Sequence, residues 1–553
     1  YVKITKACVV GAIIWSFIVY FLFPIPRSVF IIYLIVSTGL VYLTRFIARD
    51  YLLNTRKSNI KNILIFGIGN SSRQIAEILR LDLNINPVGF ISENKEDKET
   101  SIAELPVFTH SSIDKIMIKK DIQEILVTSD HQSKDKLRDI IKKLEMYQTK
   151  IRKLPNIAGL TRGEIKSIDK QRINIEDLLG RDTIKPDPYL LKACIQDKVV
   201  LITGCGGSIG SELARQIINL KPKKIILLEQ SEYFLYEIDR ELNEIVTTKS
   251  LSVKIKSYLG SVCDEDLIKV ILSSDAIDTI YHAAANKHVP LVEHNPLSAI
   301  KNNILGTYII ASESYKKNVD NFVLISSDKA VRPTNIMGAT KRFAELILQS
   351  FQDVVDNMPA TKSRTKFCMV RFGNVLDTSG SVVPLFKKQI QSGGPVTVTH
   401  PDVIRYFMTI TEASELVIQA GSLSKGGDVF VLDMGEPMNI FELAKQMIKL
   451  SGKTIRDNSN TTGDVEIKFT NLRDGEKLYE ELLIGDNVQN TVHPHIMSAN
   501  EEKLSYDRII DIINKLEDLN ASTPIKDIQQ ILYDTVSGYK PYKSDNIVEL
   551  NID

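Results

Sequence analysis

Residues 198–218, with the sequence KVVLITGCGGSIGSELARQII, decide the fold. The apolar run 199–203 predicts a buried strand, and three glycines spaced as G-x-x-G-x-x-G follow it before an amphipathic helix. The glycines let the chain turn sharply and approach a pyrophosphate, and the helix start offers it free N–H groups. The stretch therefore predicts an α/β dinucleotide-binding fold. The expected cofactor contacts here are Thr203, Gly204, Gly207, Ser208, Ile209 and Gly210.

An acidic residue after the next predicted strand indicates which dinucleotide binds. The apolar run 224–228 ends at Glu229, about twenty residues after the glycines. A carboxylate there accepts hydrogen bonds from the adenosine ribose hydroxyls and repels a 2′-phosphate, which favours NAD over NADP. Three small residues, Ala283, Ala284 and Ala285, follow a later strand and would let the cofactor lie close.

Composition excludes several classes of function. The 553 residues carry 69 Lys plus Arg and 68 Asp plus Glu, so no strongly basic face argues for nucleic acid. The five cysteines lack CxxC spacing, which indicates a reduced, cytosolic catalytic part with neither a disulfide framework nor a zinc site. His493 and His495 form an isolated HxH, where we predict no metal. Because the chain begins with Tyr1 and not with Met, we expect upstream sequence to be missing.

Shifts of composition along the chain predict its domain organisation. We expect a transmembrane hairpin at 1–55, a small Rossmann-like domain at 56–150 and a linker at 151–195. A catalytic domain follows at 196–490, and its C-terminal part is expected to bind the substrate. A helical tail without identifiable chemistry occupies 491–553.

The N-terminal segment holds two apolar runs, 7–23 and 29–43. Neither run has a polar face, which argues against two buried core helices. Each is slightly short of the about 20 residues that a membrane-spanning helix needs, so a shallow re-entrant hairpin is the alternative to a spanning one. Positive charge lies outside both runs and only Arg27 lies between them, which places both outer ends in the cytoplasm.

The small domain alternates predicted strands and helices, including a helix at 134–147, which favours a parallel sheet. Its first strand runs into Gly67-x-Gly69, but the third glycine of a dinucleotide fingerprint is missing. A tight structural turn is therefore favoured over a second nucleotide site.

A second stretch, residues 326–342 with the sequence SSDKAVRPTNIMGATKR, raises a chemical question. It follows a predicted strand, at the carboxyl edge where open parallel sheets hold their ligands. Its Lys341 suits a nicotinamide enzyme that would carry Tyr-x-x-x-Lys, but the tyrosine position is Met337. Methionine cannot transfer a proton, so another group must carry the acid-base chemistry, and we expect Met337 only to pack.

Several ordered motifs resemble one enzyme family over residues 195–490. These are TGCGGSIGSEL, AAANKHVPLVEHNP, NNILGT, SSDKAVRPTNIMGATKR, RFGNVL, THPDVIRYFM, VLDMG and RDGEKLYEELL. Together they resemble the bacterial membrane-associated UDP-N-acetylglucosamine 4,6-dehydratases of polysaccharide and glycan biosynthesis, which are extended short-chain dehydrogenases/reductases. The resemblance implies a UDP-sugar substrate, NAD and an inner-membrane location with the catalytic domain in the cytoplasm. It implies that C4 is oxidised, water leaves across C5 and C6, and hydride returns to C6. The long members of this family also replace the tyrosine by methionine.

The resemblance assigns catalytic roles to four residues. Asp328 is the acid that protonates the leaving C6 hydroxyl, and Lys329 is the base that removes the C5 proton. Lys329 can do so only if its pKa is lowered. Ser327 would hydrogen-bond the C4 oxygen, where the family usually has threonine, and Lys341 would bind the nicotinamide ribose. With no tyrosine, relay of the C4 hydroxyl proton through Ser327 to Asp328 is our hypothesis.

The substrate contacts follow from the same resemblance. Arginine suits phosphate and a carboxylate suits ribose hydroxyls. The expected contacts are Lys287, His288, Asn374, Arg405, Arg473 and Glu476. Two positions depart from the family: Asn286 replaces an aromatic residue, and Ser261 replaces an aspartate that contacts adenine.

Two other functions stay open at this point. A 4-epimerase shares C4 oxidation, but it needs no elimination and is disfavoured by the missing tyrosine. The other alternative is a catalytically inactive, membrane-anchored nucleotide-binding scaffold. For the dehydratase, Met337 favours retention of configuration at C5, and we expect a homo-oligomer, with a dimer the ordinary case.

Overall fold

The chain divides into two compact units, which we describe separately. The first is Tyr1–His131 with Thr149–Arg172, and the second is Gln132–Gln148 with Ile173–Asp553. The computed structural model describes residues 2–22, 26, 28–57, 60–81, 85–92, 101–109, 112–128, 149–154, 186–358, 365–378, 380–473, 475–481 and 488–541. The predicted helix at 134–147 and residues 155–185 of the predicted linker lie outside these residues.

Two helices open the first unit, at Val2–Leu22 and Ser28–Lys57. They lie where the two apolar runs were predicted, and the second continues well beyond its run. Trp15 of the first helix stacks on Tyr33 of the second, with ring centroids 4.1 Å apart. The two helices therefore form an antiparallel pair joined by a short connection.

Apolar side chains on these helices are exposed, as in Ile13 at 63% and Phe17 at 67%. By length and composition, Ile31–Arg49 could cross a membrane, whereas the apolar part of the first helix, Val9–Val19, is shorter. One of the two predicted membrane segments thus meets the requirement for a span.

The rest of the described first unit is a parallel sheet with helices. Its sheet order is β3-β4-β2-β1-β5-β6, and only β3 runs antiparallel to its neighbour. Ile63, Ile65, Phe90 and Leu126 pack in its core. The strands are β1 Lys61–Phe66, β2 Ile85–Ser92, β3 Ser101–Ile102, β4 Leu105–Thr109, β5 Glu124–Thr128 and β6 Lys150–Leu154, and the helices are Asn70–Arg80 and Ile113–Lys119.

The second unit is built on a larger sheet in the order β21-β22-β17-β12-β11-β10-β7-β8-β9. Its strands are β7 Val199–Thr203, β8 Lys224–Glu229, β9 Lys254–Leu259, β10 Thr279–His282, β11 Asn321–Ile325, β12 Lys366–Arg371, β17 Asp428–Leu432, β21 Val488–Asn490 and β22 Ile496–Ala499. The short strands outside it are β13 Asn374–Val375, β14 Val396–Val398, β15 Ile404–Arg405, β16 Phe407–Met408, β18 Met438–Asn439, β19 Ile455–Arg456 and β20 Val465–Phe469.

Helices cover both faces of this sheet. The α-helices are Pro188–Ala193, Ser208–Asn219, Glu232–Thr248, Glu265–Ser274, Val289–His294, Pro296–Ala299, Gly306–Lys316, Ile336–Asp356, Val382–Gln391, Ile410–Leu423, Ile440–Leu450, Tyr506–Glu517 and Ile525–Thr535. A π-helical segment, Ile300–Leu305, and a 3₁₀ turn, Asp328–Ala330, complete the described helical structure.

The order of the seven parallel strands reverses between β7 and β10. From β7 the chain first adds β8 and β9 on one side, and then β10, β11, β12 and β17 on the other. The inner strands of this set are buried on both faces and are apolar, as with Val200 and Ile202 on one face of β7 and Leu201 on the other, whereas the edge strand β9 is partly exposed. A crevice opens outside the carboxyl ends of strands at such a reversal, and ligands bind there in folds of this type.

The two C-terminal helices are part of the core of the second unit. Ile509 and Ile513 of Tyr506–Glu517, and Ile528 and Leu532 of Ile525–Thr535, pack in the same cluster as the helix Ile336–Asp356. Both helices lie within the predicted tail. They stabilise the helix that carries Lys341.

A buried ion pair ties the sheet to this helix. Glu345 accepts hydrogen bonds from Arg371 Nε at 2.8 Å and from Ser326 Oγ at 2.6 Å, and Arg342 Nη1 lies 3.0 Å away. Arg371 also contacts Glu501 at 2.5 Å. Burial acts to raise the pKa of Glu345, but the arginines and Ser326 outweigh it and lower the pKa from 4.5 to about 2. The pair therefore fixes the end of β11 to the helix.

We expect Glu345→Gln to lower the free energy of unfolding by about 3 to 5 kcal/mol, because it removes the charge that compensates two buried guanidinium groups. The folded-state pKa of Glu345 is depressed, so its contribution is complete above pH 4.5 and is lost as the pH falls toward 2. Urea unfolding at several pH values measures both effects. The matched control is Glu241→Gln, which breaks the surface pair with Arg215 and should change stability by less than about 1 kcal/mol. Equal losses for the two variants would contradict this expectation.

Candidate active site

The glycine loop between β7 and the helix Ser208–Asn219 has the geometry of a dinucleotide cradle. Gly204 adopts φ +64°, and its N–H donates to Leu228 O at 2.8 Å. A Cβ on Gly204 would lie 2.7 Å from Ala284 Cα, and a Cβ on Gly210 would collide with the Gly204 carbonyl oxygen. Only glycine fits at these two positions, so the loop can lie against both its own helix and the alanine-rich segment.

A cleft of about 300 Å³ opens beside this loop. Glu229 lies at its edge, and its carboxylate accepts hydrogen bonds from the N–H groups of Gly206, Gln230 and Ser231 at 3.0 to 3.1 Å. These contacts hold the carboxylate at the end of β8, where ribose hydroxyls would meet it. The cleft is lined by Gly204, Gly207, Ser208, Glu229, Ala283, Ala284 and Ala285 among the predicted contacts, and by Phe234, Ser261, Val262 and Asn286 among others.

Three predicted cofactor contacts lie behind the cleft and support it. Thr203 is fully buried, and its hydroxyl lies 2.7 Å from His282 Nδ1. Ile209 packs against the core, and Gly210 packs against the loop as described above. His282 also reaches Thr307 at 3.0 Å, and burial, with Lys341 nearby, lowers its pKa to about 3. His282, as a neutral imidazole, therefore links β7 and β10 to the helix Gly306–Lys316.

The π-helical segment Ile300–Leu305 positions the loop after β10. Asn303 accepts the N–H of Asn286 at 2.7 Å and donates to the Asn286 carbonyl and to Thr340 at 3.0 Å. Asn303 thus holds the backbone of Asn286, the residue that departs from the family pattern. The side-chain amide of Asn286 donates a hydrogen bond to Ser298 Oγ.

The stretch after β11 brings Ser327, Asp328 and Lys329 together. Ser327 Oγ and Lys329 Nζ donate to the same oxygen, Asp328 Oδ1, at 2.9 and 3.0 Å. Asp328 is 1% exposed, and its other oxygen, Oδ2, has no hydrogen-bond partner among the described residues. The Asp328 carboxylate therefore accepts hydrogen bonds from both the Ser327 hydroxyl and the Lys329 ammonium, an arrangement that a proton relay through Asp328 would need.

The charge state of Lys329 bears on the condition that its pKa must be lowered if it is to act as a base. Burial acts to lower the pKa of Lys329, but the charges of Asp328 and Glu480 outweigh it, and the pKa is raised. The condition is therefore not met while both carboxylates pair with Lys329. The physical reason is that Lys329 lies 3.0 Å from one carboxylate and 3.5 Å from another.

Lys341 and Met337 lie on the helix Ile336–Asp356. Lys341 Nζ donates to Ile325 O at 2.7 Å, and burial lowers its pKa to about 8, although Glu345 acts against this. Met337 is 2% exposed and belongs to the hydrophobic core, as expected.

A second cavity, of about 280 Å³, adjoins Lys329. The structure brings all six predicted substrate contacts to its wall: Lys287, His288, Asn374, Arg405, Arg473 and Glu476. Arg405 donates to Glu476 at 3.0 Å, and Asn374 Nδ2 is buried without a hydrogen-bond partner among the described residues. Lys287 lines both cavities, and desolvation lowers its pKa.

Glu480 is a residue of this cavity that the sequence analysis missed. It lies in the same motif as Arg473 and Glu476. Its side chain is 4% exposed, 3.5 Å from Lys329 Nζ and 3.6 Å from Arg405 Nε. The motif holds several glutamates, and the sequence alone does not indicate which of them turns inward.

His493 and His495 have structural partners. His495 Nδ1 lies 2.7 Å from Asp433, and the N–H of His495 donates to His493 Nδ1 at 3.2 Å. Within the part of the chain that the structure describes, no group of His, Cys, Asp and Glu is placed to hold a metal ion.

Comparison with known proteins places the chain in a family. Residues 200–501 match the family described as "Polysaccharide biosynthesis protein". The chain belongs to this family. Residues 1–155 match a second description, "CoA-binding domain". The small sheet and the larger sheet thus match two different families.

Curated relatives agree with this family. The capsular polysaccharide biosynthesis protein CapD of Staphylococcus aureus is 44% identical over 439 residues, which cover 78% of this chain and 70% of CapD. The probable polysaccharide biosynthesis protein EpsC of Bacillus subtilis is 43% identical over 445 residues, 80% of this chain and 71% of EpsC. Among solved structures, Pen from Bacillus thuringiensis has 30% identity and a TM-score of 0.49, covering 58% of this chain and 99% of Pen.

We expect Gly210→Ala to weaken NAD binding by more than about tenfold, because the new methyl group displaces the Gly204 carbonyl and with it the loop. Titration calorimetry with NAD measures the affinity. Gly11→Ala is the matched control, since a Cβ at Gly11 meets nothing within 4 Å. Unchanged affinity in Gly210→Ala would show that the cradle does not hold the cofactor.

We expect Lys341→Met to raise the free energy of unfolding at pH 7 by roughly 1 to 3 kcal/mol, since the buried ammonium disfavours folding. The folded-state pKa of about 8 lies below the ordinary 10.5, so the penalty is complete below pH 8 and fades as the pH rises toward 10.5. Thermal unfolding across this range measures the effect, with the exposed Lys366→Met as control. A variant less stable than the parent at pH 7 would contradict this reasoning.

Proposed function

We propose that the protein is an NAD-dependent 4,6-dehydratase that converts a UDP-N-acetyl-hexosamine, UDP-N-acetylglucosamine, to the UDP-4-keto-6-deoxy sugar with retention at C5. The observation that carries this proposal is the pairing of Asp328 with Lys329, which lines the second cavity. A dehydratase needs an acid and a base within reach of adjacent carbons, whereas simple oxidation and reduction at C4 need only one such group.

The first cavity fits NAD. The glycine loop leaves room for a pyrophosphate, the Glu229 carboxylate can accept hydrogen bonds from ribose hydroxyls at the end of β8, and the alanine segment is small enough for a flat ring. Bound NAD would supply the hydride exchange between C4 and C6. Lys341 and Ser327 would hold the nicotinamide ribose and the sugar oxygen near that exchange.

The second cavity fits a nucleoside diphosphate sugar. Arg405, Arg473 and Lys287 supply positive charge for a diphosphate, and Glu476 can accept ribose hydroxyls. The unpartnered Asn374 Nδ2 is a donor that a phosphate oxygen would satisfy. Lys287 lies in both walls, so the reacting sugar would sit between the two cavities, beside Lys329.

Ser327, Asp328 and Lys329 then carry out separate proton transfers. Ser327 passes the C4 hydroxyl proton to Asp328, and the protonated Asp328 gives it to the leaving C6 hydroxyl. Lys329 removes the C5 proton, which the C4 ketone makes acidic. Because the raised pKa of Lys329 favours its ammonium form, Lys329 must lose a proton before this step.

A 4-epimerase is the second candidate, because relatives named UDP-glucose 4-epimerase share part of the chain. The enzyme of Rickettsia canadensis is 31% identical over 292 residues, 53% of this chain. The Asp328–Lys329 pair favours elimination over epimerisation.

We further propose that the N-terminal helices anchor the protein in a bacterial inner membrane, with the catalytic unit in the cytoplasm. The exposed apolar side chains of both helices and the length of Ile31–Arg49 support this. A relative in Methanocaldococcus jannaschii, 43% identical over 296 residues, is named an uncharacterized membrane protein. Homo-oligomerisation stays a prediction.

Incubation with UDP-N-acetylglucosamine tests the activity, and we expect a product lighter by one water. Asp328→Asn should lower turnover by about 10² to 10⁴-fold while NAD stays bound, because the acid is lost and the fold is kept. Mass spectrometry follows the product, and nuclear magnetic resonance gives its C5 configuration.

The control Asp353→Asn breaks a surface pair with Lys503 and should leave turnover unchanged. Formation of UDP-N-acetylgalactosamine would favour the epimerase. Bound NAD with no turnover in the unaltered protein would favour the inactive scaffold.

A further inference from the structure

We propose that Glu480 holds the proton that Lys329 releases before Lys329 acts as the base at C5. This inference rests on the proposed dehydratase function and adds a third proton-transfer group to the site. Glu480 acts through Lys329, so it is a positioning and proton-holding residue.

The geometry places Glu480 as the second carboxylate of one lysine. Lys329 Nζ lies 3.0 Å from Asp328 Oδ1 and 3.5 Å from Glu480 Oε1. Both carboxylate side chains are almost fully buried, at 0% and 4% exposure. The ammonium thus donates a hydrogen bond to one carboxylate, at the end of β11, and forms an ion pair with a second carboxylate on the segment 475–481.

Glu480 keeps one oxygen available. Arg405 Nε lies 3.6 Å from Oε1, while Oε2 is buried and has no hydrogen-bond partner among the described residues. A buried carboxylate oxygen without a donor is costly, and protonation at that oxygen would remove part of the cost. Glu480 also lines the substrate cavity.

The charged groups around Lys329 explain why an acceptor is needed. Asp328 and Glu480 favour its ammonium form, and only Arg405 among its close neighbours opposes it. The remaining charged or titratable groups on the wall of the substrate cavity are Lys287, His288, Arg473, Glu476 and Lys477. Release of a proton from Lys329 therefore needs an acceptor close by, and Glu480 Oε1 lies 3.5 Å from Lys329 Nζ.

The proton balance closes with this third group. The hydride of C4 goes to the nicotinamide, and the C4 hydroxyl proton passes through Ser327 to Asp328. Lys329 gives one ammonium proton to Glu480, and its free amine pair then takes the C5 proton. The C5–H electrons form the C5–C6 double bond as the C6–O bond breaks, and Asp328 protonates the departing hydroxyl to give water. After hydride returns to C6, Lys329 returns a proton to C5 and regains its own from Glu480.

Glu480→Gln tests the proposal, because the amide keeps the shape of the side chain but cannot hold the proton. Lys329 must then lose its proton to water. We expect turnover of UDP-N-acetylglucosamine to fall about 10²-fold near pH 7 and to rise about tenfold per pH unit toward alkaline pH. The parent enzyme should show a flat profile there. Glu480→Asp, which keeps a carboxylate, should restore much of the rate and the flat profile.

Partial reactions separate this role from a structural one. In Glu480→Gln, C4 oxidation should persist, seen as absorbance of reduced nicotinamide, while exchange of the C5 hydrogen with deuterated water slows together with turnover. The control Glu481→Gln alters a neighbouring carboxylate that pairs with Arg332 and should match the parent in all measurements.

A pH profile of Glu480→Gln that superimposes on that of the parent would overturn the proposal, as would C5 exchange at the parent rate. If Glu480→Gln does not fold, the pH profile of Glu480→Asp decides, and a profile rising with pH as steeply as expected for the amide would argue against a proton-holding carboxylate. Absence of a dehydrated product from the parent enzyme would instead refute the proposed function on which this inference rests.

Discussion

One buried carboxylate, that of Glu345, holds the catalytic part of the molecule in place. It accepts hydrogen bonds from Ser326 at the end of β11, from Arg371 at the end of β12 and from Arg342 on its own helix. Two strands and the helix that carries Lys341 therefore share one charge centre. Since Ser327 and Asp328 follow Ser326 directly, any shift of this centre would displace the relay. Buried ion pairs are weak arguments for stability, but they restrict geometry strongly once formed.

The two lysines of the active site lie in different electrostatic environments. Desolvation by burial lowers the pKa of Lys341, whereas Lys329 is buried between two carboxylates, which raise its pKa. In the proposed mechanism the two lysines meet opposite requirements: Lys341 contributes a charge beside the cofactor, and Lys329 gives a proton away. Environments that push pKa values apart in this way are typical of sites that perform both acid and base chemistry.

The sequence was sufficient to predict those elements that follow directly from apolar periodicity and from steric limits on the backbone. The strand, glycine loop and helix of 199–219 follow from apolar periodicity and from the space that Gly204 and Gly210 must leave empty. The residues of the second cavity were predicted from their motifs, and the structure brings them to one wall. The raised pKa of Lys329 depends on Asp328, its neighbour in sequence, and also on Glu480, whose contact with Lys329 could not be predicted because the two residues are distant in sequence. Nor could the sequence show that the Thr203 side chain lies outside the cofactor cleft and contacts His282.

Replacement of a tyrosine by Met337 has a consequence for the whole site. A tyrosine on the helix Ile336–Asp356 would place the C4 proton acceptor beside Lys341, on a rigid element of the core. With Met337 packed in that core, the proposed mechanism takes its titratable groups instead from the turn after β11 and from the segment 475–481. It therefore requires these two segments to meet, and Lys329 contacts Glu480 between them at 3.5 Å. A segment that binds the nucleotide through Glu476 and holds a proton through Glu480 would couple substrate binding to the charge of the base.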